Sequence, residues 1–578
     1  MDLSLEQRLL RFLAREERDE QRALRELRAQ PVDLRVLDGE CIRDARFLGE
    51  HGGSFRFVVP DNGSKFRPGD TLVVGDGIDL DGGVPLVCGA YDAREGELRL
   101  ERDPTNARLC RKLEPDRVYV IDRRPLGLQG RLRDAVRAAF AWPWLAGVLR
   151  GEHAVKLDDA RAQRARDRLA ASGLNASQVE AGAHAIGTES LALIQGPPGT
   201  GKTRLLAEVT AALARAGCRI AVSAFTHRAV DNALLAIKRA APELDVVKFD
   251  SSSSDGRDEL RALGIELCQA RRAQLPKANV VAGSTCYQLG KLGDKEQFHY
   301  TVFDEAEQLP IPHALPGMLR SRRWLFFGDH QQLPPVVTTS RADPLAARSI
   351  FEHLHDLYGS RLLDTTYRLN ADVCRVISDT FYGGRLAAST CAAPRRMPFL
   401  AGGRLDDVLA PEHGVVWLRI DHRQPGQRSH EEANAVADLV DDLVRQHAVP
   451  PAEIAVIAPF RAQVRLLRSA IQHKALPGGE LVTVDTVERI QGQEREVVIV
   501  SLTAGDPDEA SGRSAFHLST NRLNVALSRA RTKAVLVASA HAFAALPHDA
   551  LALRMASRCK ELRDRIPAVD ATRLYVSH

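Results

Sequence analysis

The sequence predicts an α/β chain with two domains built on buried parallel sheets, preceded by a small β-barrel carried on helices. Three observations predict it. From Leu174 to about residue 540, apolar runs of strand length alternate with helical stretches, the pattern of parallel sheets covered on both faces. One such run, Leu191-Ala192-Leu193-Ile194, leads through a glycine-rich loop into a helical stretch beginning Arg204-Leu205-Leu206-Ala207. Upstream, from Val32 to about Asp122, short β-like runs alternate with Gly, Asp and Pro turns, the texture of a small barrel.

In chain order, residues 1–30 form a charge-rich helix with Leu9, Leu10, Phe12, Leu13, Leu24 and Leu27 at helical spacing. Residues 31–125 form the barrel, with runs Phe55–Val59, Thr71–Val74 and Arg117–Ile121. Residues 126–172 are helical and arginine-rich and complete a stalk. Residues 173–340 form the first α/β domain, with strands expected at 191–194, 219–222, 279–282, 300–303 and 324–327. Residues 341–578 form the second, with strands at 415–418, 454–457, 497–500 and 534–537. Asp250-Ser251-Ser252-Ser253-Ser254-Asp255 reads as a surface loop.

Composition narrows the class. The length of 578 residues gives a prior of about four domains, and 44% apolar residues suffice for several cores. No apolar run reaches eighteen residues, so no membrane span is expected. Met1-Asp2-Leu3-Ser4-Leu5-Glu6 lacks the basic start and apolar stretch of a secretory signal. Nine scattered cysteines without a Cys-x-x-Cys pair argue against zinc, iron–sulfur or disulfide frameworks and for a reducing cytoplasm. A net charge of +4 is mild, so any nucleic-acid contact must come from local basic surfaces.

The glycine-rich loop is Gly196-Pro197-Pro198-Gly199-Thr200-Gly201-Lys202-Thr203, a P-loop between strand and helix. Its glycines let backbone N–H groups turn toward one point, and with the helix N-terminus they form a nest for phosphates. Lys202 is placed to reach the β- and γ-phosphates and Thr203 to ligate Mg²⁺. About a hundred residues on, an apolar run ends in Asp304-Glu305-Ala306-Glu307. Asp304 can hold Mg²⁺ opposite Thr203, and Glu305 can polarise a water in line with the γ-phosphate. Taken alone this would read equally well as an acidic surface cluster; its place at a strand end behind a P-loop favours the metal reading. Gly328-Asp329-His330-Gln331-Gln332-Leu333-Pro334-Pro335 follows another strand, where open sheets bind ligands, although alone it is an ordinary Gly/Pro turn. Tyr367-Arg368-Leu369-Asn370 and the segment Asn521 to Arg531 carry arginines that can neutralise charge on a transferring phosphoryl group or simply form a solvated basic face.

The ordered set resembles superfamily 1 helicases, most closely the 1B branch containing the Upf-like helicases and the helicase part of the Dna-two-like nucleases. The adenine-reading element is similar to Leu174-Asn175-Ala176-Ser177-Gln178, and Ser177-x-x-Glu180 also has the spacing of a helix capping box. Motif Ia resembles Ser223 to Asn232 and motif Ic resembles Gly283-Ser284-Thr285-Cys286. Motifs II and III correspond to the Asp304 and Gly328 segments, motif IV to Tyr367-Arg368-Leu369 followed by Phe381-Tyr382-Gly383-Gly384, motif V to Thr486 to Glu494, and motif VI to Arg522 to Arg531. The resemblance implies two tandem RecA-like P-loop domains that close on ATP and Mg²⁺. It assigns adenine contact to Gln178, γ-phosphate sensing to Gln332, arginine fingers to Arg368 and Arg529, closure of the nucleotide site to Glu494, and nucleic-acid backbone contact to Thr226, Ser284, Thr285 and Thr486. Gln493 stands where the family usually has a basic residue, and the segment between motifs Ia and Ic is short.

The resemblance implies an ATP-dependent 5′–3′ helicase on single-stranded DNA, acting as a monomer, with a nuclease or repair partner and no membrane. RNA, or both nucleic acids, is the alternative track. A nucleic-acid-stimulated ATP switch that remodels complexes is a second class, and a P-loop protein indifferent to polynucleotides a third. No nuclease constellation is found in the chain. Aromatic residues make up 5% of the sequence, which favours backbone tracking over base stacking.

Overall fold

The computed structural model describes residues 3–571 except 52–53, 60–61, 67–69, 79–81, 93–94, 103–112, 125–128, 250–256, 269–274, 293–296, 338–342, 423–425, 507–518, 545 and 548–549. The serine loop expected at 250–255 lies outside the described residues.

Six antiparallel strands close a barrel: β1 (Cys41–His51), β2 (Ser54–Val58), β3 (Thr71–Gly75), β4 (Val84–Asp92), β5 (Glu97–Arg102) and β6 (Val118–Arg123), in the order β1-β2-β5-β4-β3-β6. In β2, Phe55 and Phe57 are buried while their neighbours are not, because successive side chains leave a strand on opposite faces. Phe47, Phe55, Phe57, Leu72, Leu86, Leu98, Leu100 and Ile121 form its interior. The short helix Val32–Leu37 is fastened to the barrel by Arg35, whose buried guanidinium pairs with Asp122 and donates to the Gly77 carbonyl at 2.6 Å.

The first long helix, Leu5–Arg28, starts with a Ser4/Gln7 capping box, and its described buried residues Leu9, Phe12 and Leu13 all lie in its first half. They join helices Gln129–Ala141 and Pro143–Arg150 in one core with Trp324, Phe326, Ile311 and Leu315 of the first α/β domain. The stalk is therefore a layer of that domain's core.

The first parallel sheet comprises β7 (Leu191–Gln195), β8 (Arg219–Ala224), β9 (Asp245–Phe249), β10 (Glu266–Cys268), β11 (Val280–Thr285), β12 (Tyr300–Phe303), β13 (Arg323–Gly328) and β14 (Arg361–Leu362). Their order is β10-β9-β11-β8-β12-β13-β7-β14. Alternation sorts β13 cleanly: Trp324 and Phe326 face the stalk layer, whereas Leu325 and Phe327 face helices Ala176–Gly187, Lys202–Arg215 and His227–Ala240. The division between the two α/β domains comes later than residue 340. Ile350, Phe351 and Leu354 of helix Ile350–Tyr358 pack in the stalk-side core, and β14 pairs with β7. That helix buries its apolar face between the first sheet and the stalk, where Tyr358 donates to the Val148 carbonyl at 2.9 Å.

A two-stranded ribbon, β15 (Thr365–Thr366) and β16 (Ala387–Ala388), follows. The second sheet holds β17 (Val415–Arg419), β18 (Ile454–Ile457), β19 (Thr483–Asp485), β20 (Arg495–Ser501), β21 (Ala530–Ala538) and β22 (Ala568–Asp570). It is parallel, in the order β19-β18-β20-β21-β17-β22, with an apolar core on each face. Among the described residues no helix is long and apolar enough to cross a membrane.

Candidate nucleotide and nucleic-acid site

The P-loop leaves the C-terminal end of β7 and runs into helix Lys202–Arg215. Gly199 and Gly201 both have left-handed backbone, φ +73° and +75°, which glycine adopts without penalty. The Gly196 N–H donates to the Gly328 carbonyl at 2.9 Å, tying the loop to the end of β13. Thr200 is buried and donates to the Pro197 carbonyl at 2.8 Å. Thr203 sits in the helix's first turn, half-buried, where backbone N–H groups have no helical partner.

Lys202 points at the carboxylates that follow β12. Its Nζ lies 2.8 Å from Glu305 Oε1 and 3.6 Å from Asp304 Oδ1. Burial pulls the Lys202 ammonium down, but Glu305, Glu307 and Asp304 together outweigh it and hold it well above the ordinary lysine range. Burial raises the Asp304 carboxyl to about 6 against the pull of Lys202. Glu305 resists the same burial because Lys202 is beside it, and is held down to about 2. Burial, with Glu305 adding to it, pushes Glu307 well above the carboxylate range. Burial thus raises Asp304 and Glu307, while Lys202 holds Glu305 below the ordinary carboxylate range. Glu305 also has left-handed backbone, φ 50°.

These residues fit a triphosphate with a divalent cation. Among the described residues no group of three or more His, Cys, Asp or Glu could cage a metal. One carboxylate, Asp304, and one hydroxyl, Thr203, suit Mg²⁺, which keeps waters and takes phosphate oxygens. The buried lysine now paired with carboxylates is a ready cation for a phosphate.

The second domain closes over the loop. The Tyr367 N–H donates to the Gly199 carbonyl at 2.8 Å, and the Thr366 hydroxyl to the Pro198 carbonyl at 2.8 Å. The packing is tight: a Cβ on Gly199 would lie 2.4 Å from Arg368 Cβ. Arg368 donates from Nε to Glu494 at 2.7 Å and from Nη1 to the Ser528 carbonyl at 3.3 Å. Arg529 is only 3% exposed and donates to the carbonyls of Val525 at 3.1 Å and Gln493 at 3.4 Å. Burial, then the Arg368 charge, lowers its guanidinium to about 9, while Glu305 opposes the fall. Gln332 is buried, donating to Asp329 at 2.9 Å and weakly to the Gly196 carbonyl at 3.4 Å. Gln178 is also buried: the capping box of helix Ala176–Gly187 is Asn175 with Gln178 Oε1, not Ser177 with Glu180, because the helix starts at Ala176, and Gln178 Nε2 donates to the Thr200 carbonyl at 2.9 Å. Both ends of that amide are engaged within the protein.

The expected nucleic-acid residues lie at C-terminal strand ends, with one exception. Thr226 follows β8, is exposed, and caps helix His227–Ala240. Thr285 ends β11 and Thr486 follows β19; both are half-buried. Ser284 is fully buried, because β11 is an inner strand buried at every position before its last residue, and its hydroxyl does not reach the surface that Thr285 borders. Phe225, 41% exposed beside Thr226, is an aromatic of motif Ia on that surface to which the resemblance assigned no contact.

Sequence reasoning also passed over the polar centre between the domains. Asp329, fully buried, accepts from Gln195, Gln332 and Tyr382. Asn521 and Asn524 of the second domain donate to the carbonyls of His330, Gln331 and Gln332. All lie inside motifs recognised in the sequence, but nothing local in those motifs says which side chains meet.

Two family models, each described as an AAA domain, match the chain, one over residues 173–260 and 247–340, the other over residues 346–541. The chain is 27% identical over 409 residues to the DNA replication ATP-dependent helicase/nuclease DNA2 of Mus musculus, covering 65% of this chain and 38% of that one. It is 27% identical over 392 residues to the DNA replication ATP-dependent helicase/nuclease JHS1 of Arabidopsis thaliana (65% and 29% covered). Against DNA2 of Saccharomyces cerevisiae it is 26% identical over 407 residues (65% and 26%). The matched region thus spans about a quarter to two-fifths of these relatives' length. Among solved structures, the crystal structure of Arterivirus nonstructural protein 10 (helicase) covers 90% of this chain and 82% of its own, at 15% identity and a TM-score of 0.37.

Proposed function

The chain belongs to the superfamily 1B helicases, in the branch of the Upf-like and Dna-two-like proteins, and from that premise we propose that it is an ATP-driven helicase that moves 5′ to 3′ along single-stranded DNA and separates duplexes. The observation that carries the proposal is convergence: Lys202, Asp304 and Glu305 of one parallel-sheet domain face Arg368 and Arg529 of the other across the P-loop.

In this reading Lys202 leaves Glu305 for the phosphates, and Asp304 and Thr203 hold Mg²⁺. Held there, Mg²⁺ would supply positive charge against the charge that develops on the phosphates. Glu305, released from Lys202 and so no longer held low, orients the attacking water and accepts its proton. Gln332 senses the γ-phosphate. Arg368 and Arg529, from the second domain, complete the site only when the domains are closed, so hydrolysis and release change their grip on one another. Thr226, Thr285 and Thr486 contact the strand's phosphate and sugar, positioning it without reading bases. Separation of a duplex costs a mean of about 1.4 kcal/mol per base-pair step, and binding weakens steeply with salt. DNA is favoured by the form of motif Ia, Phe225-Thr226-His227, and by the relatives' DNA replication role.

Strand displacement tests this. Matched duplexes with a 5′ or a 3′ single-stranded tail, in DNA and in RNA, are offered with ATP and Mg²⁺. The 5′-tailed DNA duplex is expected to open. Opening of only the 3′-tailed duplex refutes the polarity, opening of RNA alone refutes the track, and ATPase stimulation without opening of any duplex reduces the activity to an ATP switch.

A further inference from the structure

Asp329 leaves the end of β13 as a fully buried carboxylate with four donors. Oδ1 accepts from Gln195 Nε2 at 3.0 Å and from the Gln331 N–H at 3.2 Å. Oδ2 accepts from Gln332 Nε2 at 2.9 Å and from the Tyr382 hydroxyl at 2.7 Å. Three donors belong to the first domain. Tyr382 belongs to the second, at the end of helix Ala371–Phe381. Its hydroxyl accepts from Asn524 Nδ2 at 2.9 Å, and Asn524 also donates to the Gln331 carbonyl at 2.8 Å. Asn521 donates to the His330 carbonyl at 2.9 Å and to that of Gln332. The loop carrying Gln332 is thus part of the first domain but held by side chains of the second.

We propose that Tyr382 is a positioning residue for triphosphate sensing: it keeps Asp329 satisfied when Gln332 turns to the γ-phosphate, and so ties that turn to the second domain. The inference rests on the function proposed above. A primary amide nitrogen has two hydrogens. Those of Gln332 are spent on Asp329 Oδ2 and, weakly, on the Gly196 carbonyl at 3.4 Å. In this proposal the turn toward a γ-phosphate withdraws the amide from Asp329 Oδ2 as well as from its weak contact with the Gly196 carbonyl. With Tyr382 in place, Oδ2 keeps a donor after Gln332 has left. Without that hydroxyl the same turn strands a buried anionic oxygen, and a group so stranded is costly. Burial and the Asp329 charge hold the Tyr382 hydroxyl protonated, so it remains a donor.

Tyr382→Phe tests this, since it keeps the ring and removes only the donor. Affinities for ADP and for a non-hydrolysable imido analogue of ATP are measured alongside thermal unfolding. The variant is expected to bind the analogue about 10-fold more weakly, the cost of one stranded buried oxygen, with ADP affinity within about twofold of the parent protein. In a Gln332→Ala background the same substitution is expected to leave analogue affinity unchanged, because the two act through one carboxylate oxygen. Equal losses for ADP and analogue, or no loss for either, overturn the inference. If Tyr382→Phe does not fold, Tyr382→Met, which fills the ring's place without a hydroxyl donor, must show the same selective loss of analogue binding, and its absence is equally fatal. Failure of the parent protein to bind either nucleotide overturns the functional reading itself, whereas a parent that binds both while the variant loses both equally overturns only the role of Tyr382.

Discussion

Replacing Lys202 by Met in the nucleotide-free protein should destabilise it. Lys202 Nζ is 2.8 Å from Glu305 and 3.6 Å from Asp304, and the side chains of Lys202, Glu305 and Asp304 are 11%, 28% and 4% exposed. At an effective dielectric of about 20 the attraction to Glu305 alone is about 6 kcal/mol. Desolvation of both groups offsets much of that, yet deleting one partner of a buried pair still costs roughly 3–5 kcal/mol, because the other charge is left unpaired. Asp304 is already raised to about 6 by burial and can take up a proton, which favours the lower end of that range. At about 2–4 °C per kcal/mol for a domain of this size, ~3 kcal/mol corresponds to a fall of roughly 6–12 °C in the melting temperature. Thermal unfolding followed by circular dichroism, without nucleotide, measures it. Lys202→Met combined with Glu305→Gln should recover at least half of the loss, since the second change removes the stranded anion. A single variant that melts within about 2 °C of the parent, or a double variant no better than the single, refutes the reasoning.

Other substitutions probe the same cleft and the barrel. Glu305→Gln should retain ATP binding while lowering turnover at least ~10²-fold, the scale of a lost general base, as read by single-turnover hydrolysis. Arg529→Ala should lower turnover by about 10³-fold or more with single-strand binding unchanged; fluorescence anisotropy with a labelled oligonucleotide would expose the opposite outcome. Asp122→Ala leaves the buried Arg35 guanidinium without its carboxylate and should cost roughly 3–5 kcal/mol, seen as earlier exchange of barrel amides with solvent than of either parallel sheet.

The parts of this fold that were legible in the sequence are those where burial leaves an unbroken apolar run. Trp324 to Phe327 and Val497 to Val500 are central strands, covered on both faces, and look so. β9 was not legible, because Asp245-Val246-Val247-Lys248-Phe249 carries a lysine in its middle. Lys248 is nonetheless buried, paired with Asp231 of helix His227–Ala240, and that partner comes from tertiary structure. β19, Thr483-Val484-Asp485, is too short and polar to stand out. The P-loop and the Asp304–Glu305 pair were legible because their geometry is set within a few residues. The Asp329–Tyr382–Asn524 chain was not, since its bonds join positions 53 and 142 residues apart. Ser284 and Thr285 look alike in a motif, and only the point at which the buried inner strand ends separates the buried hydroxyl from the one at its edge. The division at residue 340 followed motif order, whereas the chain delays it until helix Ile350–Tyr358 and β14 have completed the first sheet.

The central claim is that strand binding and ATP hydrolysis are one coupled activity of this chain. Its most direct test is steady-state ATP hydrolysis at one fixed salt concentration with no polynucleotide, with single-stranded DNA and with single-stranded RNA. The account predicts strong stimulation, greater with DNA, and its loss in Lys202→Ala. Hydrolysis that ignores both polynucleotides would contradict it.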